Sequence, residues 1–132
     1  MKKTLFLFFI MTIAGLLACS SDTKTKMIGT WRAADVKTEF DEQRVSPQML
    51  QQVVEMEKQV FFKFLNDSIM HINTLDHTNR AFWFYDEETG MITYRFIEPG
   101  SATHDLGIYM NGKITSESET ALGKITIVYE KE

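Results

Sequence analysis

The chain has 132 residues, a formal net charge of −4, 44% hydrophobic residues and 24% charged ones. That length supports one domain and is too short for two. An acidic balance without a basic stripe excludes a nucleic-acid-binding face and an electrostatic grip on anionic lipid. A single cysteine excludes an intramolecular disulfide.

Residues 1–18 open with Lys2 and Lys3 and continue as the uncharged run TLFLFFIMTIAGLLA. A positive start, an apolar stretch and small residues before a polar segment are the parts of a secretory signal peptide. The run is shorter than the roughly 20 apolar residues of a membrane-spanning helix. Leu16, Leu17 and Ala18 come directly before Cys19, and SSDTKTK follows from residue 20. This arrangement resembles the lipobox of bacterial lipoproteins. The resemblance implies cleavage before Cys19, diacylation of its thiol with chains such as palmitate, and acylation of the new amine. Ser20, rather than Asp, at the next position implies passage to the outer membrane. One acyl chain binds a membrane marginally, whereas two or more anchor stably. Residues 20–26 contain no apolar residue and read as a flexible tether after lipidated Cys19. The domain proper is then residues 27–132.

The domain reads as strands interrupted by one helix. MIGTWRAADVK is the first strand. SPQMLQQVVEMEKQV begins with Ser46 as N-cap and Pro47 at the first helical position. Leu50, Val53, Val54 and Glu57 follow one face of this helix, with Met49, Met56 and Val60 alongside. About twelve residues are too few to be stable alone, so the helix requires something to pack on.

Hairpins follow. VFFKFLNDSIMHIN folds about Asn66-Asp67 as a two-residue turn, which sets Phe64 opposite Ile69 and Phe62 opposite His71. That register puts His71 and Asn73 on the inner face with the phenylalanines. AFWFYDEETGMITYRFI turns over Glu87–Gly90 and pairs Tyr85 with Ile92 and Trp83 with Tyr94. Its inner face is Trp83, Tyr85, Ile92, Tyr94 and Phe96, and Phe82 and Phe84 lie on the other. LGIYMNGKITSES carries Asn111-Gly112, the strongest short turn signal in the chain. Its faces mix Leu106, Ile108 and Met110 with Lys113 and Thr115, so a bulge or a different register is expected. In KITIVYEK, Ile125, Ile127 and Tyr129 share one face.

The expected fold is mainly β: eight antiparallel strands, with one short helix after the first. Eight strands close into a small barrel whose interior holds side chains or one small ligand. Closure also removes the sheet edges that invite aggregation. Gly29-Thr30-Trp31 on the first strand is a G-x-W. On an eight-stranded barrel this motif resembles the lipocalins. A lipobox, a short tether, G-T-W and hairpins together resemble the lipocalin-like domains of bacterial lipoproteins. Lipocalins stack an Arg near the last strand on that Trp; this chain offers only Lys124 and Lys131 there. The helix after strand one resembles the helical lid of fatty-acid-binding proteins, which have two helices.

The chemistry-bearing motifs are absent: no G-x-S-x-G, no H-E-x-x-H and no phosphate-cradling glycine loop. His71, His77 and His104 are not spaced as metal ligands. Asp76-His77 is a weak metal or catalytic candidate in a loop, and Asp86-Glu87-Glu88 and Asp41-Glu42 read as solvated turns with too few oxygen ligands for calcium. No enzyme activity, cofactor or metal is expected. Asp67-Ser68-Ile69 resembles the acceptor of a bacterial O-glycosylation system, which would place a sugar on Ser68.

Two functions fit. The resemblance implies a small apolar or amphipathic ligand inside the barrel. Trp83, Tyr85 and Tyr94 then line a pocket, with His71 orienting the ligand; the same aromatic residues equally fill a closed core. Alternatively, a filled barrel binds an envelope protein through its outer face or loops, and outward Phe82 and Phe84 fit such a surface.

Overall fold

The computed structural model describes residues 19–132, with side chains from Thr23 onward. The signal-like segment 1–18 lies outside the described residues. Helix α1 spans Cys19–Met27, strand β1 Gly29–Phe40 and helix α2 Pro47–Lys58. They are followed by β2 (Phe61–Phe64), β3 (Ile69–Asn73), β4 (Thr78–Tyr85), β5 (Met91–Phe96), β6 (Thr103–Met110), β7 (Lys113–Thr120) and β8 (Gly123–Lys131). Every strand pairs antiparallel with its neighbours in sequence, and β8 returns to β1. The result is the expected closed barrel of eight strands. No described helix is long and apolar enough to cross a membrane.

Residues 19–27 are helical where the sequence suggests a flexible tether. The reason lies at the helix C-terminus, where the last carbonyls have no intrahelical donor. Trp31 Nε1 donates to the Met27 carbonyl at 2.7 Å, and Lys131 Nζ donates to the Lys26 carbonyl at 3.0 Å. Lys24 Nζ donates to the Asp67 carbonyl at 2.9 Å and stands 4.9 Å from the Trp83 ring centroid. Met27 is fully buried. Trp31 is four residues away, but Lys131 and Asp67 come from distant parts of the chain.

The hairpins sort by turn chemistry. β4 and β5 pair Tyr85 with Ile92 and Trp83 with Tyr94, as read from sequence. The Asp86 N–H donates to Met91, and the Gly90 N–H donates to Asp86, closing the four-residue turn. β6 and β7 join through Asn111-Gly112, both at positive φ, as a two-residue hairpin turn demands. The expected bulge lies at the other side of β6: Ile92 pairs with Gly107 and Thr93 with Asp105, leaving Leu106 as the extra residue. The face reversal that follows puts Leu106, Tyr109 and Ile114 inside, with Ile108, Met110, Lys113 and Thr115 outside. A second register shift, between Ala33 and Asp35, lets β1 follow Trp31 and Ala33 with Val36, Thr38 and Phe40.

The β2–β3 hairpin corrects the sequence reading by one residue. Phe64 pairs with Met70, Phe62 with Ile72 and Lys63 with His71. The turn is longer than Asn66-Asp67 because the Asn66 side chain organises it. Its Oδ1 accepts from the Ser68 and Ile69 amides at 2.9 and 2.8 Å. A one-residue slip sends every side chain of β3 to the opposite face. Met70 and Ile72 are therefore buried, and His71 and Asn73 lie on the outer-facing register with Lys63, Arg80 and Thr78.

α2 forms as expected: Ser46 Oγ accepts from the Met49 amide, and Pro47 opens the first turn. None of its residues is fully buried, but Val53 and the following Val60 pack on the barrel core. Leu50, Val53, Val54 and Glu57 form the half-covered face, while Met49 and Met56 face solvent.

Candidate functional site

The two ends of the barrel differ. At the α1 end lie the three turns at 65–68, 86–90 and 111–112, and the interior is aromatic. Trp31, Phe64 and Trp83 are each 1% exposed. Trp83 meets Phe64 with ring centroids 4.7 Å apart, and Trp31 meets Tyr109 edge-on at 6.1 Å. Both indole N–H groups are satisfied, Trp31 by Met27 and Trp83 by the Asn66 carbonyl at 2.8 Å. This end is filled and its polar atoms are paired.

The α2 end is built differently. Here the inward positions carry hydroxyls among apolar groups: Thr38 on β1, Tyr94 on β5, and Ser116 and Ser118 on β7. Tyr129 on β8 pairs nearer the α1 end, with Ala33 and Ile114, and its side chain comes within electrostatic reach of Tyr94 and of Glu57 on α2. Tyr129 packs against Phe62, with centroids 4.7 Å apart. Tyr94 lies 5.5 Å from Phe96 and 5.3 Å from His104, which is exposed at the rim. Tyr129 is 3% exposed, yet its hydroxyl has no hydrogen-bond partner among the described residues. No side-chain nitrogen or oxygen is both sealed from solvent and unbonded. The Tyr129 hydroxyl therefore opens on accessible space.

Glu57 comes to this space from α2. Burial holds its carboxyl above the ordinary carboxylate range. Tyr129 is pushed well above the usual tyrosine range, first by burial and then by the Glu57 charge and by Tyr94. Burial likewise raises Tyr94. Glu57 and Tyr94 thus both lie within electrostatic reach of the Tyr129 hydroxyl. Such a group can hold a polar head by hydrogen bonds while the apolar wall receives a tail.

The wall beside this end is loosely joined. β6 and β7 pair only over Ile108–Met110 and Lys113–Thr115, next to their turn. Beyond the bulge residues 103–105 pair with β5 alone, and 116–120 with β8 alone. On the outer face of the wall, where β6 and β7 part, lies a cleft of about 330 Å³ lined by Met91, Asp105, Ile108, Met110, Thr115 and Glu117 with Leu106 and Gly107.

The residues singled out from sequence are dispersed. Trp83 belongs to the filled α1 end, and Tyr85 beside it packs edge-on to Tyr109 at 6.4 Å. Burial, followed by Glu87, Tyr109 and Asp86, raises the Tyr85 hydroxyl. Tyr94 alone of the expected ligand residues lies at the α2 end, and His71 lies on the outer-facing register. Gly29 and Trp31 sit at the α1 end, and Lys131, paired across from Trp31, runs its stem over Gly29. Lys124 is at the opposite end, bonded to Glu117 at 3.4 Å. Cys19 begins α1. Ser68 is exposed, its Oγ donating to Asp67 Oδ1 at 3.1 Å. Asp76 and His77 are exposed in the β3–β4 loop, and no cluster of metal-ligating residues occurs among the described residues.

Sequence reasoning missed Glu57 and the hydroxyl role of Tyr129. The signal was present: Glu57 continues the stripe of Leu50, Val53 and Val54, and a carboxylate on an apolar helix face needs a reason. No protein-family model, curated protein or solved structure matches the chain at a significant level.

Proposed function

We propose that the protein is a lipid-anchored envelope protein whose lipocalin-like barrel takes up a small apolar or amphipathic ligand at its α2 end. The observation that carries this reading is the Tyr129 hydroxyl, free of any described partner and open on accessible space in an otherwise buried residue, within electrostatic reach of Tyr94 and Glu57. A hydroxyl so placed can donate to or accept from a polar head while the apolar wall receives the rest of a ligand. α2 covers this end without a fully buried residue of its own, so displacing it exposes little core. The anchor reading rests on the lipobox-like Leu16-Leu17-Ala18-Cys19. Because α1 joins Cys19 to the filled end, an acylated Cys19 would leave the α2 end facing away from the membrane surface. Native mass spectrometry tests the ligand: a co-purifying small molecule lost in a Tyr129→Phe, Glu57→Gln double variant is expected. A clean apo mass that ignores offered amphiphiles would refute it. Labelling with a palmitate analogue tests the anchor, and label retained in Cys19→Ala would sink it.

A second reading is favoured by the outer surface. The register places Ile69 beside Phe82, Phe84 two residues on, then Met91 beside Ile108 and on to Met110. Phe84 is 48% exposed and Met110 65%. Arg95 lies over the Phe82 ring at 5.8 Å, and Lys24 borders the same cleft. An apolar stripe with a polar rim suits a protein partner in the envelope. Phe84→Asp abolishing co-purification of a crosslinked envelope protein would support this reading; an unchanged crosslink pattern would argue against it.

A further inference from the structure

The barrel closes without removing all of its sheet edges. From their turn, β6 and β7 pair only as far as Ile108 with Thr115. Farther along, 103–105 bond to β5 and 116–120 to β8, so one side of each strand has no neighbour. A strand offers N–H and C=O groups to both sides, and an unpaired side is a template for another strand. Between the two open edges lies the cleft lined by Asp105, Gly107 and Ile108 of β6, Thr115 and Glu117 of β7, and Met91 of β5. Its tight end is at Gly107, where an added Cβ would stand 2.5 Å from the Thr115 carbonyl oxygen.

The rims of this seam carry a sign. Alternation turns Asp105, Glu117 and Glu119 outward along it. Lys124 sits opposite Glu119 and pairs with Glu117 at 3.4 Å, while Arg95 on β5 lies over the Phe82 ring. Asp105 has no ion-pair or hydrogen-bond partner among the described residues. A second copy of the seam would bring acid against acid, and like charges directly opposite are unfavourable. An extended segment with cations at alternate positions would instead set them between Asp105 and the two glutamates. Its intervening side chains would then point inward, beside buried Leu106 and the inward Ser116 and Ser118.

We propose that the β6–β7 seam is a strand-addition site for an extended segment of a partner protein, with lysine or arginine at alternate positions and apolar residues between them. Main-chain hydrogen bonds to the open edges hold the segment, and the acidic rims select its charge. The proposal rests on the partner-binding reading of the outer surface and names the partner's chemistry, since Met91, Ile108 and Met110 of the apolar stripe also line the seam. It is independent of the ligand-binding reading.

Fluorescence anisotropy and amide hydrogen exchange on the full chain carrying Cys19→Ser decide it, with a short fluorescent peptide of alternating lysine and valine as the probe. Three peptides of the same length are compared: alternating glutamate and valine, and the lysine peptide N-methylated either at its lysines or at its valines. The lysine peptide is expected to bind about tenfold or more tighter than the glutamate peptide and than at least one methylated form. It should also slow exchange over 103–106 and 116–120. Asp105→Lys with Glu117→Lys should weaken it about tenfold, whereas Asp76→Lys, the same change in the exposed β3–β4 loop, should not. The peptide comparison needs no variant, so it decides the matter even where the double variant fails to fold. The proposal is overturned if the lysine peptide does not bind, if the glutamate peptide or both methylated forms bind as well, or if Asp76→Lys weakens binding as much as the rim reversal. Protection confined to 82–91 overturns the seam while the outer-stripe reading stands, which the Phe84→Asp crosslink tests separately.

Discussion

Trp83 of the filled α1 end and Tyr129, whose hydroxyl lies within electrostatic reach of Glu57 on α2, are buried to almost the same degree, 1% and 3% exposed. The Trp83 indole N–H donates to Asn66, whereas the Tyr129 hydroxyl has no described partner. Both residues face the interior of one barrel, and the difference follows from what closes each end. α1 ends in carbonyls that Trp31 and Lys131 satisfy, and Met27 caps the core from the same helix. α2 lies across its end by a half-covered stripe that includes a carboxylate. Depth of burial is therefore the same for the two side chains; completeness of polar pairing is what differs.

The contrast can be broken most forcefully at the filled end. Trp83→Ala deletes a fully packed indole and orphans the Asn66 carbonyl, and should cost about 3–5 kcal/mol in urea unfolding. A loss below 1 kcal/mol by rough reckoning would mean the α1 end is not the stabilising core. Gly107→Ala probes the boundary where β6 leaves β7. A Cβ there would meet the Thr115 carbonyl at 2.5 Å, so the remaining pairing must shift. A destabilisation of about 1–3 kcal/mol is expected by the same measurement, with amide exchange accelerating over residues 108–115.

Smaller effects belong to the α2 end. Ser46→Ala removes the cap on the Met49 amide and should cost about 1 kcal/mol, read best as faster exchange confined to α2. Tyr129→Phe forfeits no protein hydrogen bond and should be close to neutral in stability at neutral pH. Its effect appears in alkali. The folded protein holds the Tyr129 proton above the ordinary value of 10.0, so past that pH the unfolded chain loses it first. Stability tied to this group is complete below 10.0 and lost as pH rises through the folded value. Tyr129→Phe should flatten that decline in urea midpoints across alkaline pH. Glu57 has the same sign at lower pH: its contribution is complete below the ordinary 4.5 and lost as pH rises, a slope that Glu57→Gln should remove.

Turn chemistry explains which hairpins were legible in the sequence. Asn111-Gly112 admits positive φ at both positions, and DEETG closes on Asp86, so both turns are written locally. LNDS reads locally as a two-residue turn, but the Asn66 side chain bonds two amides beyond it and lengthens the loop. That error carried His71 to the inner face. Of the expected ligand residues only Tyr94 lies in the candidate site, because the reading assigned faces without assigning ends. Trp83 and Tyr94 pair across one hairpin, yet the first packs into the filled end and the second joins Phe96 and His104.

Alternating apolar residues, turn signals and the Ser46-Pro47 start determined eight strands and a helix, because these depend on neighbours a few residues apart. Leu16-Leu17-Ala18-Cys19 is likewise a local signal, and its lipoprotein reading owes nothing to the fold. Only the tertiary structure decided that residues 19–27 form a helix, since beside the local Trp31 the groups holding it, Lys131 and Asp67, are brought up by barrel closure. Only it brought Glu57 of α2 and Tyr94 of β5 within electrostatic reach of Tyr129 on β8. Partners that far apart in the chain leave no trace in local pattern, and whether a buried hydroxyl finds one is settled when the barrel closes.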